Sequence, residues 1–381
     1  MKLKWLVAVV LAAMGGTTYA QSSVTLYGVI DSGLLYQSAN AANFQSKVNL
    51  GHVYELKDGG IYSSIWGLKG SEDIGGGYKV GFRLQGSFNS SNGKPGLADT
   101  PGATALFNQQ TTVGVSSPFG TIDMGRQIVP MIYAMADTDV RNAQYFGSIL
   151  TAWLGMNQAA GWQGLSTNGP IGALYDDNAI VYRSPKFYGA SLALEYAPGG
   201  VPGRFQGGTR ESAVLQYSNY GLNLAAVYYN GHDTNPFTQT GPTTIVTAPS
   251  TGLANNRFWY LGAQYTFHDF SVSTSYSIGK NPANSGHANF EMISGGLGYK
   301  FSPAFKVTSG FYYLKDRNHS SSQSNEFALG AEYNLSKTTL AYTQVGYVNN
   351  RGNMSQTITY GAPVPEGRST TAAMVGIRHS F

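Results

Sequence analysis

The chain has 381 residues, with 24 Lys and Arg against 20 Asp and Glu, and no cysteine. The near-balanced charge excludes a nucleic-acid partner, which needs a concentrated basic surface. The lack of cysteine excludes a disulfide-stapled scaffold. Charged residues make up only 12% while Gly reaches 49 and Tyr 26, a mixture suited to a wall with one face in water and the other in lipid.

The first segment reads as an export signal. Lys2 and Lys4 form a short positive start, and Trp5 to Met14 is apolar but too short to span a bilayer as a helix. Thr18 and Ala20 are small residues before an expected cleavage at Gln21, so residues 1–20 are the signal and 21–381 the mature barrel. No later stretch approaches about eighteen consecutive apolar residues, which excludes a helical membrane protein.

From residue 23 onward the dominant signal is alternation with period two, the mark of a strand whose two faces meet different surroundings. Over 270–279, Phe270, Val272, Thr274, Tyr276 and Ile278 share one face, and four serines and Gly279 share the other. The pattern predicts strands at 23–36, 61–73, 77–90, 109–117, 120–128, 177–184, 189–197, 209–218, 221–230, 257–267, 269–280, 288–301, 304–315, 325–335, 338–349 and 370–381. The connections alternate between tight turns, such as 117–120 and 268–269, and long loops, such as 37–60 and 129–176. An even strand number with short turns at one end and long loops at the other predicts an all-β, 16-stranded antiparallel transmembrane β-barrel. The last predicted strand ends on an aromatic, Phe381.

Several strings then carry a resemblance from one end of the chain to the other. SSVTLYGVIDSGL at 22–34, IWGLKGSEDIGGGYKVGF at 65–82, VGVSSPFGTIDMGRQ at 113–127, NAIVYRSPKFYGASLALEY at 178–196, YNLSKTTLAYTQVGYV at 333–348 and VGIRHSF at 375–381 resemble the trimeric general-diffusion porins of Gram-negative bacteria, the betaproteobacterial type in particular. The resemblance implies a homotrimer in outer-membrane lipid that passes small hydrophilic solutes and ions through a water-filled channel, with no cofactor. It also implies a third loop folded inward as a constriction, here 129–176, with Asp137 and Asp139 as its acidic side.

Opposite that loop the family has a basic wall. By motif position Arg126, in MGRQ, and Arg183, in VYRSP, match members of it, while Lys69 and Arg83 fall on faces assigned to the lumen. Strict alternation sets Arg126 with Met124 and opposite Asp123, Gly125 and Gln127. Either a bulge intervenes or the strand has left the wall there; the resemblance implies an inward guanidinium. Ile65, Gln109 and Gln110 stand where the family often has basic residues, so this wall is thinner and its ion preference open.

Other chemistry is not indicated. The six histidines show no metal-ligand spacing, no GxSxG elbow occurs, and Gly75 to Gly77 lack the following GK[ST] of a phosphate cradle. No enzyme activity is therefore expected. A substrate-specific channel shares this fold and would show saturable block by one solute; an adhesive barrel would show no conductance.

Overall fold

The computed structural model describes residues 23–95, 105–162, 169–233, 237–240, 244–247, 252–253, 255–281 and 288–381. The export signal expected over 1–20 lies outside them. The wall begins with β1 (Ser23–Gln37), β2 (Val53–Asp58), β3 (Ser64–Gly75), β4 (Tyr78–Phe88), β5 (Gln110–Ser117) and β6 (Gly120–Ile128). Two helices follow, α1 (Pro130–Asp137) and α2 (Ile149–Ala159), and then β7 (Tyr175–Arg183), β8 (Ala190–Ala197), β9 (Arg210–Asn219) and β10 (Leu222–His232). A small hairpin of β11 (Phe237–Thr240) and β12 (Thr244–Thr247) sits in the next loop. The wall resumes with β13 (Asn255–Phe267), β14 (Phe270–Lys280), β15 (Asn289–Lys300), β16 (Phe305–Asp316), β17 (Gln323–Asn334), β18 (Thr339–Arg351) and β19 (Ser369–Ser380).

Each wall strand pairs antiparallel with the next, and β1 closes the ring against β19 from Val29↔Ser380 to Gln37↔Ala372. On its other edge β1 pairs with β3 near the start of β1 and with β2 near its end. β2 and β3 are therefore two parts of one wall strand, and the barrel has sixteen strands. The interruption has a cause. Gly59 takes φ +77°, and the chain then turns inward past the buried carboxylate of Asp31. That carboxylate accepts from the N–H groups of Gly60, Ile61 and Tyr62 at 3.0–3.1 Å and from the Tyr342 hydroxyl at 2.8 Å. The donors that leave the ladder are thus not left bare.

Alternation sorts the two faces as expected. On β14, Phe270, Val272 and Tyr276 are exposed outward while Ser273, Ser275 and Ser277 are buried inward. Leu261, Leu297, Val345 and Ile377 add to an exposed apolar outer surface. In water such a surface would drive association; in a bilayer it meets hydrocarbon. At the short-turn end, Phe381 exchanges backbone hydrogen bonds with Gly28 at 3.0 and 3.1 Å. Its ring lies so close that a Cβ on Gly28 would sit 2.3 Å from it.

The hydrophobic core is inside the barrel, where α1 and α2 fill part of the lumen. Met131, Met135, Ile149, Leu150 and Trp153 pack against Tyr229, Phe258, Tyr260 and Tyr312 of the wall. Pro130 starts α1, a position where its missing N–H costs nothing. Ser148 caps α2, its hydroxyl accepting from Leu150 N–H at 3.1 Å while Thr151 accepts from Ser148 N–H at 2.9 Å. Residues Ile149 to Gln158 of α2 are all buried, so the helix has no face in water.

Candidate functional site: the lumen and its inward loop

The loop between β6 and β7 is held by side chains that reach the wall. Arg141 is fully buried. It donates to the Thr308 carbonyl and hydroxyl at 3.2 Å, to Phe146 O at 2.8 Å, to Gln344 Oε1 at 2.5 Å and to Gly147 O. Gln144 donates to Glu332 at 2.7 Å, and Lys306 pairs with the same carboxylate at 3.0 Å. These contacts fasten the loop to β16, β17 and β18, while α1 lies against β8, β9, β10 and β13. The loop thereby fills much of one side of the lumen, leaving a smaller cavity of about 350 Å³ beneath it.

The other side stays open as a cavity of about 740 Å³ between α1 and the wall from β3 to β9. Lys69, Arg83, Arg183 and Lys186 line it, with Asp123 as the carboxylate among its lining residues. Lys69 and Arg83 stand directly opposite each other on adjacent strands. Like charges so placed repel, so they hold the local potential positive unless an anion enters. The Lys69 ammonium rests over the Tyr27 ring at 5.2 Å, and Arg83 reaches Gln110 only at 3.5 Å. Arg183 is tied to Asp123 at 2.8 Å. From α1, Tyr133 projects into the cavity. Burial raises the Tyr133 phenol, opposed by Arg183 and Arg83.

The sequence profile of the Gram-negative porin family matches residues 7–353. The chain belongs to that family. Outer membrane porin protein 32 of Delftia acidovorans is 29% identical over 391 residues, covering 99% of both chains. An outer membrane porin protein of Bordetella pertussis is 28% identical over 429 residues, covering 100% of both. Among solved structures, the anion-selective porin from Comamonas acidovorans has a TM-score of 0.75 at 24% identity, covering 95% of this chain and 100% of that one. The trimer form of OmpT, an outer membrane protein of Vibrio cholerae, has a TM-score of 0.66 at 13% identity, covering 94% and 99%. At those identities the structures show the shared fold. The porin spans the outer membrane with its strands and serves as a water-filled channel for passive diffusion of small hydrophilic solutes and ions.

The porin's expected site residues separate into two groups. Lys69, Arg83 and Arg183 share one cavity, and Asp137, at the end of α1, accepts from Gln216 Nε2 of the same cavity at 3.0 Å. Burial raises the Asp137 carboxyl above the usual carboxylate range, while Gln216 and Lys186 pull it down. Asp139 is not a free pore carboxylate. It is buried and accepts from Arg141, Ala143 and Ile149 N–H at 3.1–3.3 Å and from the Tyr312 hydroxyl at 3.0 Å, which makes it the knot of the loop's turn.

Arg126 does not line the cavity. Asp123 and Gln127 both point inward, so the residue between Gly125 and Gln127 points out. Its guanidinium binds Asp177 at 2.6 Å and Asn108 O at 2.6 Å, over the Tyr175 ring. A bulge does occur here, but β7 supplies the extra residue, at Asp177 and Asn178, so β6 keeps its alternation. Period-two alternation does not reach Lys186, in the turn after β7, or Tyr133, on a helix inside the long loop. Arg141 could have been noticed as the lone basic residue of 129–176. Among the described residues no cluster of His, Asp and Glu is arranged to hold a metal.

Proposed function

We propose that ions are sorted in the open cavity, with Lys69, Arg83, Arg183 and Lys186 as its basic side and Asp137 on the loop as its acidic counterpart, and that the balance favours anions. The observation that carries this reading is the opposed pair Lys69 and Arg83, two lumen cations on neighbouring strands without an ion pair to either among the described residues. Opposed charges across a narrow aqueous passage orient dipolar solutes and set ion preference. The Comamonas porin that shares the fold is an anion-selective one, which supports the sign. A homotrimer and removal of residues 1–20 on export complete the reading; the trimer form of the Vibrio protein supports the first.

The test is the reversal potential of the purified porin in a KCl gradient across a planar bilayer. Wild type should give stepwise ohmic conductance with anion preference, and Lys69→Gln with Arg83→Gln should move the potential towards cations. An unmoved potential would remove these two residues from the selectivity site. Saturable block by one solute would mark a substrate-specific channel instead. Native mass and N-terminal sequencing from Gln21 check the trimer and the cleavage.

A further inference from the structure

The outer face of β14–β18 is not a uniform apolar belt. Gly295 and Ser309, facing outward on adjacent strands, leave a depression of about 590 Å³. Val272, Leu297, Phe311, Phe327, Leu329 and Val345 wall it. Towards the long-loop end, the outward positions of β13 to β18 close with Arg257, Lys280, Lys315, Arg317 and Arg351. Arg257 and Lys280 are directly opposed across the ladder, an arrangement that repels unless an anion joins it. Among the described residues Glu291 is the outward carboxylate at this end, 3.7 Å from Arg317 and opposite Lys315, and the sequence of 281–288 holds no other. Among the described residues, five outward cations therefore stand with one outward carboxylate. Arg126, an outward arginine elsewhere on the wall, has its own partner in Asp177.

Height matches chemistry. Ser309 and Lys315 are separated by about 20 Å along the strand, and the tilt of barrel strands reduces this to about 15 Å of depth, close to the thickness of one leaflet's hydrocarbon. A second copy of the chain would not suit this face, because the described outward residues offer no acidic cluster to meet five cations. We propose that this sector binds one anionic amphiphile of the outer leaflet, its phosphate-bearing head group on Arg257, Lys280 and Lys315 and an acyl chain in the groove at Gly295 and Ser309.

The test uses the purified full-length porin in detergent micelles, titrated with diphosphorylated lipid A and read by native mass spectrometry. Wild type should retain the lipid as a discrete adduct and retain the dephosphorylated form less well. The triple variant Arg257→Gln, Lys280→Gln, Lys315→Gln should weaken retention by about fivefold for each cation lost. Ser309→Phe fills the groove without touching the rim and should weaken retention on its own; unchanged single-channel conductance certifies that both variants fold. Equal retention by wild type and both variants would overturn the site, as would equal retention of the two lipid forms. A triple variant that keeps the lipid but loses oligomeric mass would assign the face to a second copy instead.

Discussion

The two halves of the inner wall use the same alternating pattern for opposite ends. Around the open cavity the inward side chains face water, and four of those lining it are cations against the carboxylate of Asp123. From β14 to β18 they face the inward loop, and Ser273, Thr308, Tyr312, Glu332 and Gln344 are occupied in hydrogen bonds to it. An inward polar residue can therefore line a channel or anchor a plug, and strand periodicity alone does not distinguish the two. What decides is the loop's own apolar content. α1 and α2 cover one half because their Met, Ile, Leu and Trp side chains must leave water, and they leave the other half open.

The comparison can be broken most severely at Arg141. Arg141→Met would leave the carbonyls of Phe146, Gly147 and Thr308 and the Gln344 amide oxygen without their donor, at about 1–3 kcal/mol for each buried group. Thermal melting should fall and single-channel conductance should rise and become noisy; an unchanged melting point and conductance would mean that the apolar face of the loop holds it unaided. Next, Arg183→Ser removes a cation and also frees Asp123 from its ion pair. The reversal potential should move further towards cations than it does for Arg83→Gln alone.

A smaller effect is expected from Asp137. Burial disfavours its charged form, so it takes up a proton at a higher pH than an ordinary aspartate and its negative charge disappears early on acidification. Anion preference should therefore increase as pH falls from neutrality through a midpoint above 3.8, the ordinary value, and Asp137→Asn should flatten that dependence. The same sign holds for stability, since a raised carboxyl favours the folded state more at low pH than at high. A persisting pH response in the variant would move the titration elsewhere. Arg126→Ser should do least: the potential should stay where it is and stability should fall by about 1 kcal/mol or less, as for a pair with one partner largely in solvent.

Most of the wall was legible because one rule governs it. Strand ends such as Gly120 to Ile128 and Phe305 to Asp316 agree with the alternation to within a residue or two. The break after Asp58 was not legible. It depends on the carboxylate of Asp31, far away in sequence, collecting the donors of Gly60 to Tyr62. The helices of the inward loop carry no period-two signal, and only Pro130 and Ser148 mark their starts. Asp139 shows the limit of reading charge alone: it shares its loop with Asp137, yet three backbone N–H groups and a tyrosine hydroxyl draw it out of the solvent. For Arg126, alternation gave the right face and motif position the wrong one.

The seam between β1 and β19 has a consequence for how the molecule is made. In lipid an unpaired strand edge has no water to satisfy it, so neither edge of a partly built wall is tolerated there. Closing that gap joins the first and last strands of the wall, the contact of greatest sequence separation among them and the slowest kind to form. A growing chain thus has no stopping point inside the membrane. A wall without its last strand would leave two edges of backbone donors and acceptors facing hydrocarbon, and the stretch ending at Phe381 satisfies both at once.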